Sequence, residues 1–489
     1  MLTLALAPLF LASAHAVATA PRRASEVVFN HHTDYFATKE AYEEGHVHMK
    51  LMDAMSAAVA GMRDPTAYPG NLWDMMTLPP IRKFTPCVNG FSGALDDERS
   101  TYSCNNVDLA YFLPHALLGS TERIGNDIWG WSHCGREFGL VGQMDGTAFV
   151  ELIPSHESGE VDVVYLGRLP TQSETSIWRD IKVIGNYAYI GSEAEGHGIQ
   201  VFDLMSLLDT NLRTGPKTFL TSEITAVLPL PEGRSHNVVS HAEKNIIAAV
   251  GSLPRNGTCR AGLIFFDVTD PANAVEVGCA SEDGYVHDAQ CLVYHGPDAK
   301  YEGRDVCYAY AEDSLTIWDI TDPSASTVIS STPYYGVSYS HQGWVVDEDD
   351  QSFLLLDDEL DEVSMRGWAA NNHTTTYVWD IRSLEEPVLS GYYQSPVKSI
   401  DHNLYVHKGL AYESNYKSGL RVVDVSSVSA DASGEAFREV AFFDAHPEDD
   451  AVGGVVEFGG TWSAYPYFES GYILLNSMER GLFVLKLNV

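Results

Sequence analysis

At 489 residues, 45% of them hydrophobic and 20% charged, the chain is long enough to bury a sizeable core and has globular rather than disordered composition. Its 67 acidic against 30 basic side chains give a formal charge of −37. A field of that sign repels nucleic acid and anionic membrane surfaces, and favours solubility, cations and basic partners.

The first stretch of the chain is small and apolar, and Ala14, His15 and Ala16 have the small–x–small form of a cleavage site. Residues 1–20 are therefore expected to be a signal peptide cut near Ala16. No later segment reads as long and apolar enough to span a bilayer. The chain ends at Leu487, Asn488 and Val489 on a predicted strand with no sorting tail, so a secreted, extracellular protein is expected. Residues 21–105 read as an N-terminal extension. Within it, residues 38–62 place Met49, Met52, Met55 and Val59 at helical spacing and predict one helix, the methionines forming a packing face. Pro65, Pro69, Pro79, Pro80 and Pro86 follow as an irregular connector, and His31, His32, His46 and His48 read as surface residues.

From residue 106 onward a pattern recurs seven times: a polar pair, then an apolar strand-like run. The pairs are Asn126-Asp127, Arg179-Asp180, His236-Asn237, His287-Asp288, His341-Gln342, His402-Asn403 and Trp462-Ser463. They recur at roughly the 50- to 60-residue spacing of propeller blades. A second landmark keeps the same register. Runs 146–151, 198–203, 262–267, 315–319, 376–380, 419–424 and 481–486 are apolar strands closing on Asp, Glu or Lys. Asp270-Pro271 and Asp322-Pro323 follow two of them as turns. Each copy reads as four strands that cannot bury both faces alone, so the predicted fold is all-β, a seven-bladed β-propeller over residues 106–489. The last copy has only three strands of its own, and segment 107–114 resembles the outer strand of the first copy. Residues 107–114 are thus expected to complete the last blade and close the ring.

Seven cysteines fit an oxidising compartment if most are paired. Cys291 and Cys307 fall on neighbouring strands of one blade, and Cys259 and Cys279 also within one blade. Cys87 and Cys104 flank a loop before the first repeat. Those three pairings leave Cys134 free, expected buried. Asn256 and Asn372 stand in glycosylation sequons.

The inner strand of each blade lines the axial channel, so His236, His287, His341 and His402 are expected at one channel mouth. Imidazoles grouped around an axis suit a transition metal. Asp127, Asp180 and Asp288, in the next slot, are candidates to orient the rings from behind. Glu193, Glu312, Asp358, Glu359 and Glu413, near the turns between second and third strands, are expected to ring the same mouth, where they suit Ca²⁺ or a substrate hydroxyl. The acidic run 357–362 lacks the spacing of a calcium-binding helix–loop–helix unit and reads as a solvated loop. No nucleophile elbow and no phosphate-cradling glycine loop is present.

Several motifs together resemble the choice-of-anchor B family of secreted proteins with LVIVD-type β-propeller repeats. They include Cys87-Val88-Asn89-Gly90 with Tyr102, Cys104 and Asn105, then Asn126-Asp127-Ile128-Trp129, and Trp178-Arg179-Asp180-Ile181 with Ser192-Glu193-Ala194-Glu195. Val286-His287-Asp288-Ala289, Ser340-His341-Gln342-Gly343, Asp358-Glu359-Leu360-Asp361 and Ile400-Asp401-His402-Asn403 complete the set. The resemblance covers most of the chain from Cys87 onward; Ala94 to Thr101 is an insertion, and no C-terminal anchor is recognisable. It implies a fold and a compartment but no reaction.

The leading expectation is an extracellular scaffold that binds a ligand or protein partner at its histidine-bearing face, with a transition-metal or Ca²⁺ site at the channel mouth. The alternatives are a metal-dependent hydrolase or oxidoreductase using the four histidines, and a structural cell-wall or matrix protein.

Overall fold

A computed structural model describes residues 36–63, 78–155, 160–209 and 215–489. The signal peptide, His31, His32, Pro65 and Pro69 lie outside the described residues. Seven sheets, each built on four antiparallel strands, follow one another along the chain; one gains two further strands and another a short parallel one, Lys217–Thr218, and the chain is a seven-bladed β-propeller. The innermost strands are Gly125–His133, Ile181–Ile184, Asn237–His241, Asp288–Val293, Ser340–Val345, Asn403–His407 and Thr461–Tyr465, which define blades 1 to 7. The outer strand of blade 7 is Val107–Pro114, paired with Gly481–Leu487 from Val107↔Leu487 to Pro114↔Gly481. The two ends of the chain therefore share one sheet, which leaves no open edge between first and last blades.

Local chemistry explains why the period holds. The aspartate closing the third strand is a turn cap. Asp203, Asp267, Asp319, Asp380 and Asp424 each accept a hydrogen bond from the backbone N–H two residues on, at 2.8–3.1 Å. Asp270 and Asp322 then cap single 3₁₀ turns that begin with Pro271 and Pro323. Apolar faces pack blade against blade: Val239, Val250 and Phe265 of blade 3 meet Ala289, Cys307 and Trp318 of blade 4. At Gly278 the approach is so close that a Cβ would lie 2.2 Å from the Pro323 carbonyl oxygen, and φ is +150°, so only glycine fits.

The extension departs from expectation in two ways. Residues 38–62 form two helices, not one: α1 (Lys39–Glu43) and α2 (His46–Arg63). Gly45, with φ +76°, breaks the helical path between them. Strands Phe91–Gly93 and Thr101–Asn105 are added to the outer edge of blade 6. The disulfide Cys87–Cys104 staples that addition, and Cys259–Cys279 and Cys291–Cys307 form within blades 3 and 4. Cys134 is free but exposed, contrary to the buried position expected of it. It occupies a two-residue hairpin turn with Gly135, and positive φ at both residues (50° and 74°) puts the pair at the sheet's tip. Asn256 is exposed; Asn372 is half-buried, its Nδ2 donating to the Glu362 carbonyl at 2.8 Å.

Helix α2 covers the histidine-bearing end of the ring. Its buried face is Val47, His48, Leu51, Met55, Val59 and Met62, while Met49 faces outward. The upper part packs on Tyr339 and Leu360 of blade 5, the lower part on Ile177, Ile400, Tyr416 and Trp462. Tyr42 adds a hydrogen bond from its hydroxyl to the Ser338 carbonyl at 2.8 Å. No helix among the described residues is long and apolar enough to cross a membrane.

Candidate metal centre

The four first-slot histidines converge under α2. Ring centroids of His236 and His287 are 4.2 Å apart, those of His287 and His341 4.1 Å, and those of His341 and His402 4.7 Å. Three of these rings share one posture. Nδ1 of His287 lies 2.7 Å from the carbonyl of His341, Nδ1 of His341 lies 2.8 Å from the carbonyl of His402, and Nδ1 of His402 lies 2.8 Å from the carbonyl of Trp462. A carbonyl can only accept, so each Nδ1 carries the proton and Nε2 keeps its lone pair. Nδ1 donating to a backbone carbonyl while Nε2 is available is how metal-ligating histidines are held.

Glu359 is the carboxylate that meets these nitrogens. Its oxygens lie 3.5 Å from Nε2 of His341 and 3.9 Å from Nε2 of His402, and the Tyr416 hydroxyl donates to it at 2.5 Å. One donor atom from each of His287, His341 and Glu359 lies within 4.8 Å of the others. Leu51, Met55, His287, His341, Glu359 and His402 help line a cavity of about 20 Å³, space for about one water molecule or ion. Burial dominates the titration here. It pushes His287 and His341 well below the ordinary imidazole value and His402 to about 3, so all three are neutral at pH 7. Burial also raises Glu359 to about 7, against the opposing Tyr416 hydrogen bond.

His236 departs from the pattern. Its Nδ1 lies 2.5 Å from Glu193 instead of bonding a neighbouring carbonyl. Burial opposes its protonation, but the charge and hydrogen bond of Glu193 outweigh burial and raise its pKa.

Several expected roles are corrected. Asp127, Asp180 and Asp288 make no hydrogen bond to the four rings among the described residues. Asp127 accepts from Ile181 N at 2.9 Å and Asp180 from Val238 N at 2.7 Å, each on the next blade, and Asp288 from Ala289 N at 2.7 Å. Asp180 also holds the buried ammonium of Lys182 at 2.7 Å. Apart from Asp288, which bonds within its own strand, these second-slot groups thus stitch blade to blade. Gln342, which accepts from Leu404 N, and Asn403, which donates to the Trp462 carbonyl, do the same.

Of the five carboxylates expected round the mouth, only Glu193 and Glu359 reach an imidazole. Glu312 is paired with Arg255 through two contacts of 2.8 Å. Asp358 accepts from the Tyr334 hydroxyl and from Ser338, Tyr339 and Leu360 N–H groups. Glu413 accepts from Thr376 and Asn415. The run 357–362 is no solvated loop either: Asp357, Asp358, Glu359, Asp361 and Glu362 are all buried. Burial drives Asp357, Asp361 and Glu362 well above the carboxylate range and Asp358 to about 6, so protonation offsets much of the desolvation.

The sequence reading missed His48, which is buried rather than on the surface. Its Nδ1 lies 2.6 Å from the Tyr339 hydroxyl, and its ring 5.5 Å from that of His236. The signal was present: His48, Leu51, Met55, Val59 and Met62 form one helical stripe, and His48 heads it. Tyr339 and Tyr416, each next to a repeat motif, had no sequence signal separating them from core tyrosines.

The LVIVD repeat pattern matches residues 178–196. The chain resembles that repeat over the loop, first two strands and following turn of blade 2, a stretch that includes Asp180, Lys182 and Glu193. No curated protein matches the chain.

Proposed function

We propose that this chain is a secreted protein of the choice-of-anchor B type, an extracellular recognition scaffold organised around one axial transition-metal ion. His287, His341, His402 and Glu359 would hold the ion. The observation that carries this reading is the shared posture of three imidazoles, each with Nδ1 on a carbonyl of the next blade and Nε2 left for a ligand. Three neutral imidazoles and a carboxylate are a donor set for Zn, Fe, Cu or Ni rather than for Ca²⁺, which prefers oxygen. A divalent ion would also keep Glu359 ionised. Three disulfides support an oxidising compartment. Leu51 and Met55 of α2 line the same cavity of about 20 Å³, a size that suits a single ion.

Elemental analysis of the purified full chain tests the proposal. Stoichiometric transition metal in the wild type, lost in His287→Ala and His341→Ala variants that keep their circular dichroism, is the expected result. A folded protein that takes up no Zn²⁺ or Co²⁺ at these residues overturns it.

A further inference from the structure

The mouth of the channel holds a second group of donors that no repeat pattern announces. His48 on α2, Glu193 in the turn of blade 2 and His236 at the start of blade 3 place one ligand atom each within 4.8 Å of one another. All three are buried or nearly so. His48 is held by a side chain rather than a carbonyl: Nδ1 lies 2.6 Å from the Tyr339 hydroxyl, and Nε2 is 3.8 Å from Glu193 Oε1. That same oxygen lies 2.5 Å from Nδ1 of His236. Two guanidinium groups nearby have carboxylate partners of their own: Arg255 pairs with Glu312 and Arg234 with Glu195. The rings of His236 and His287 lie 4.2 Å apart, so this group adjoins the axial one, whose cavity His236 also lines.

We infer that His48, Glu193 and His236 form a second divalent-metal site, next to the axial site and completed only when α2 lies across the ring. Two imidazoles and one carboxylate are an N₂O donor set suited to Zn²⁺, Co²⁺ or Fe²⁺. The ion would take the place of the proton shared by His236 and Glu193, and that proton would leave to solvent. Because His48 belongs to the helix and its two partners to blades 2 and 3, the ion would tie the helix to the ring. The axial ligands belong to other residues, so this site stands or falls separately from the proposed function.

Cobalt titration of the full chain, stripped with EDTA and followed by visible absorption and proton release, tests the inference. Two equivalents are expected in the wild type, one in His48→Gln, one in His341→Ala, and none in the double variant. Glu193→Gln, on a different element, should also reduce the count to one, so a loosened helix in His48→Gln does not decide the matter; melting curves in EDTA check that each variant is folded. If His48→Gln and Glu193→Gln bind as many ions as the wild type, the second site is overturned. A single wild-type ion lost in His341→Ala and retained in His48→Gln overturns it and leaves the axial site standing. A single ion with the reverse pattern supports it and removes the axial reading.

Discussion

The slot at the start of the inner strand is filled differently on two arcs of the ring. In blades 7, 1 and 2 it holds Trp462, Asn126 and Arg179, while blades 3 to 6 hold histidine. On the first arc the polar slot residues are consumed by the scaffold. Asn126 donates to the Ile177 carbonyl, and Arg179, fully buried, is spread over Thr171, His197 and Gln200. On the second arc His287, His341 and His402 make the equivalent blade-to-blade link with one ring nitrogen and keep another. Asn126 and three of the histidines reach toward the next blade, whereas Arg179 is held within blade 2 and the loop that enters it. Histidine makes the blade-to-blade link with one ring nitrogen and leaves Nε2 as a second polar atom, so the polar atoms not used by the scaffold gather on one side of a nearly symmetric ring.

The largest effect should come from the stitching alone. Asp180→Ala strands the buried Lys182 ammonium and the Val238 N–H, and should cost about 3–5 kcal/mol in urea unfolding. A cost similar to that of a surface substitution would mean that the second slot does not join the blades. Next comes an acid-dependent effect at blade 7, whose slot holds Trp462 rather than histidine. Burial works to raise Glu479, but Lys417, 3.0 Å away, and His446 outweigh it and lower its pKa to about 2. A depressed carboxylate stabilises above its ordinary value and loses that contribution as pH falls from about 4.5 to about 2. Glu479→Gln should therefore be less stable than wild type by about 3 kcal/mol at pH 6, with the gap closing near pH 2.

A paired substitution sharpens the comparison itself. His402→Ala removes both the link and a proposed ligand, and should cost about 1–2 kcal/mol of stability together with binding at the proposed axial site. His402→Asn can restore the donor to the Trp462 carbonyl, as Asn403 makes it. It should recover stability to within about 1 kcal/mol while metal affinity stays at least about 100-fold reduced. If both properties return together, the two nitrogens do not divide the work as described. The smallest effect belongs to the exposed hairpin tip: Cys134→Ser should change stability by less than about 0.5 kcal/mol and remove the reaction of the folded chain with a thiol reagent.

The ring was legible because its signals are local and repeated. Strand alternation, the Asp that caps the turn after the third strand, and the slot pairs each lie within one blade, and seven copies make the register unambiguous. Closure through Val107–Pro114 was readable because that segment resembles another outer strand. The carboxylates were less legible. Glu193, Glu312, Glu359 and Glu413 occupy similar places near similar turns, yet two meet imidazoles while Glu312 meets Arg255 and Glu413 meets Thr376. Nothing in their spacing separates them, since a turn of a few residues can aim a side chain at either neighbour.

The blade count and the placing of four histidines at one mouth were written in the sequence, because period and face follow from a regular backbone; the cysteine pairs were suggested by it and made definite by the folded strands. Tertiary structure alone decided that His48 joins them, that residues 357–362 are buried, and which carboxylates face the rings. Those outcomes depend on how α2 and the turns pack over the ring, on contacts between residues hundreds of positions apart and on protonation states that exist only once water is excluded.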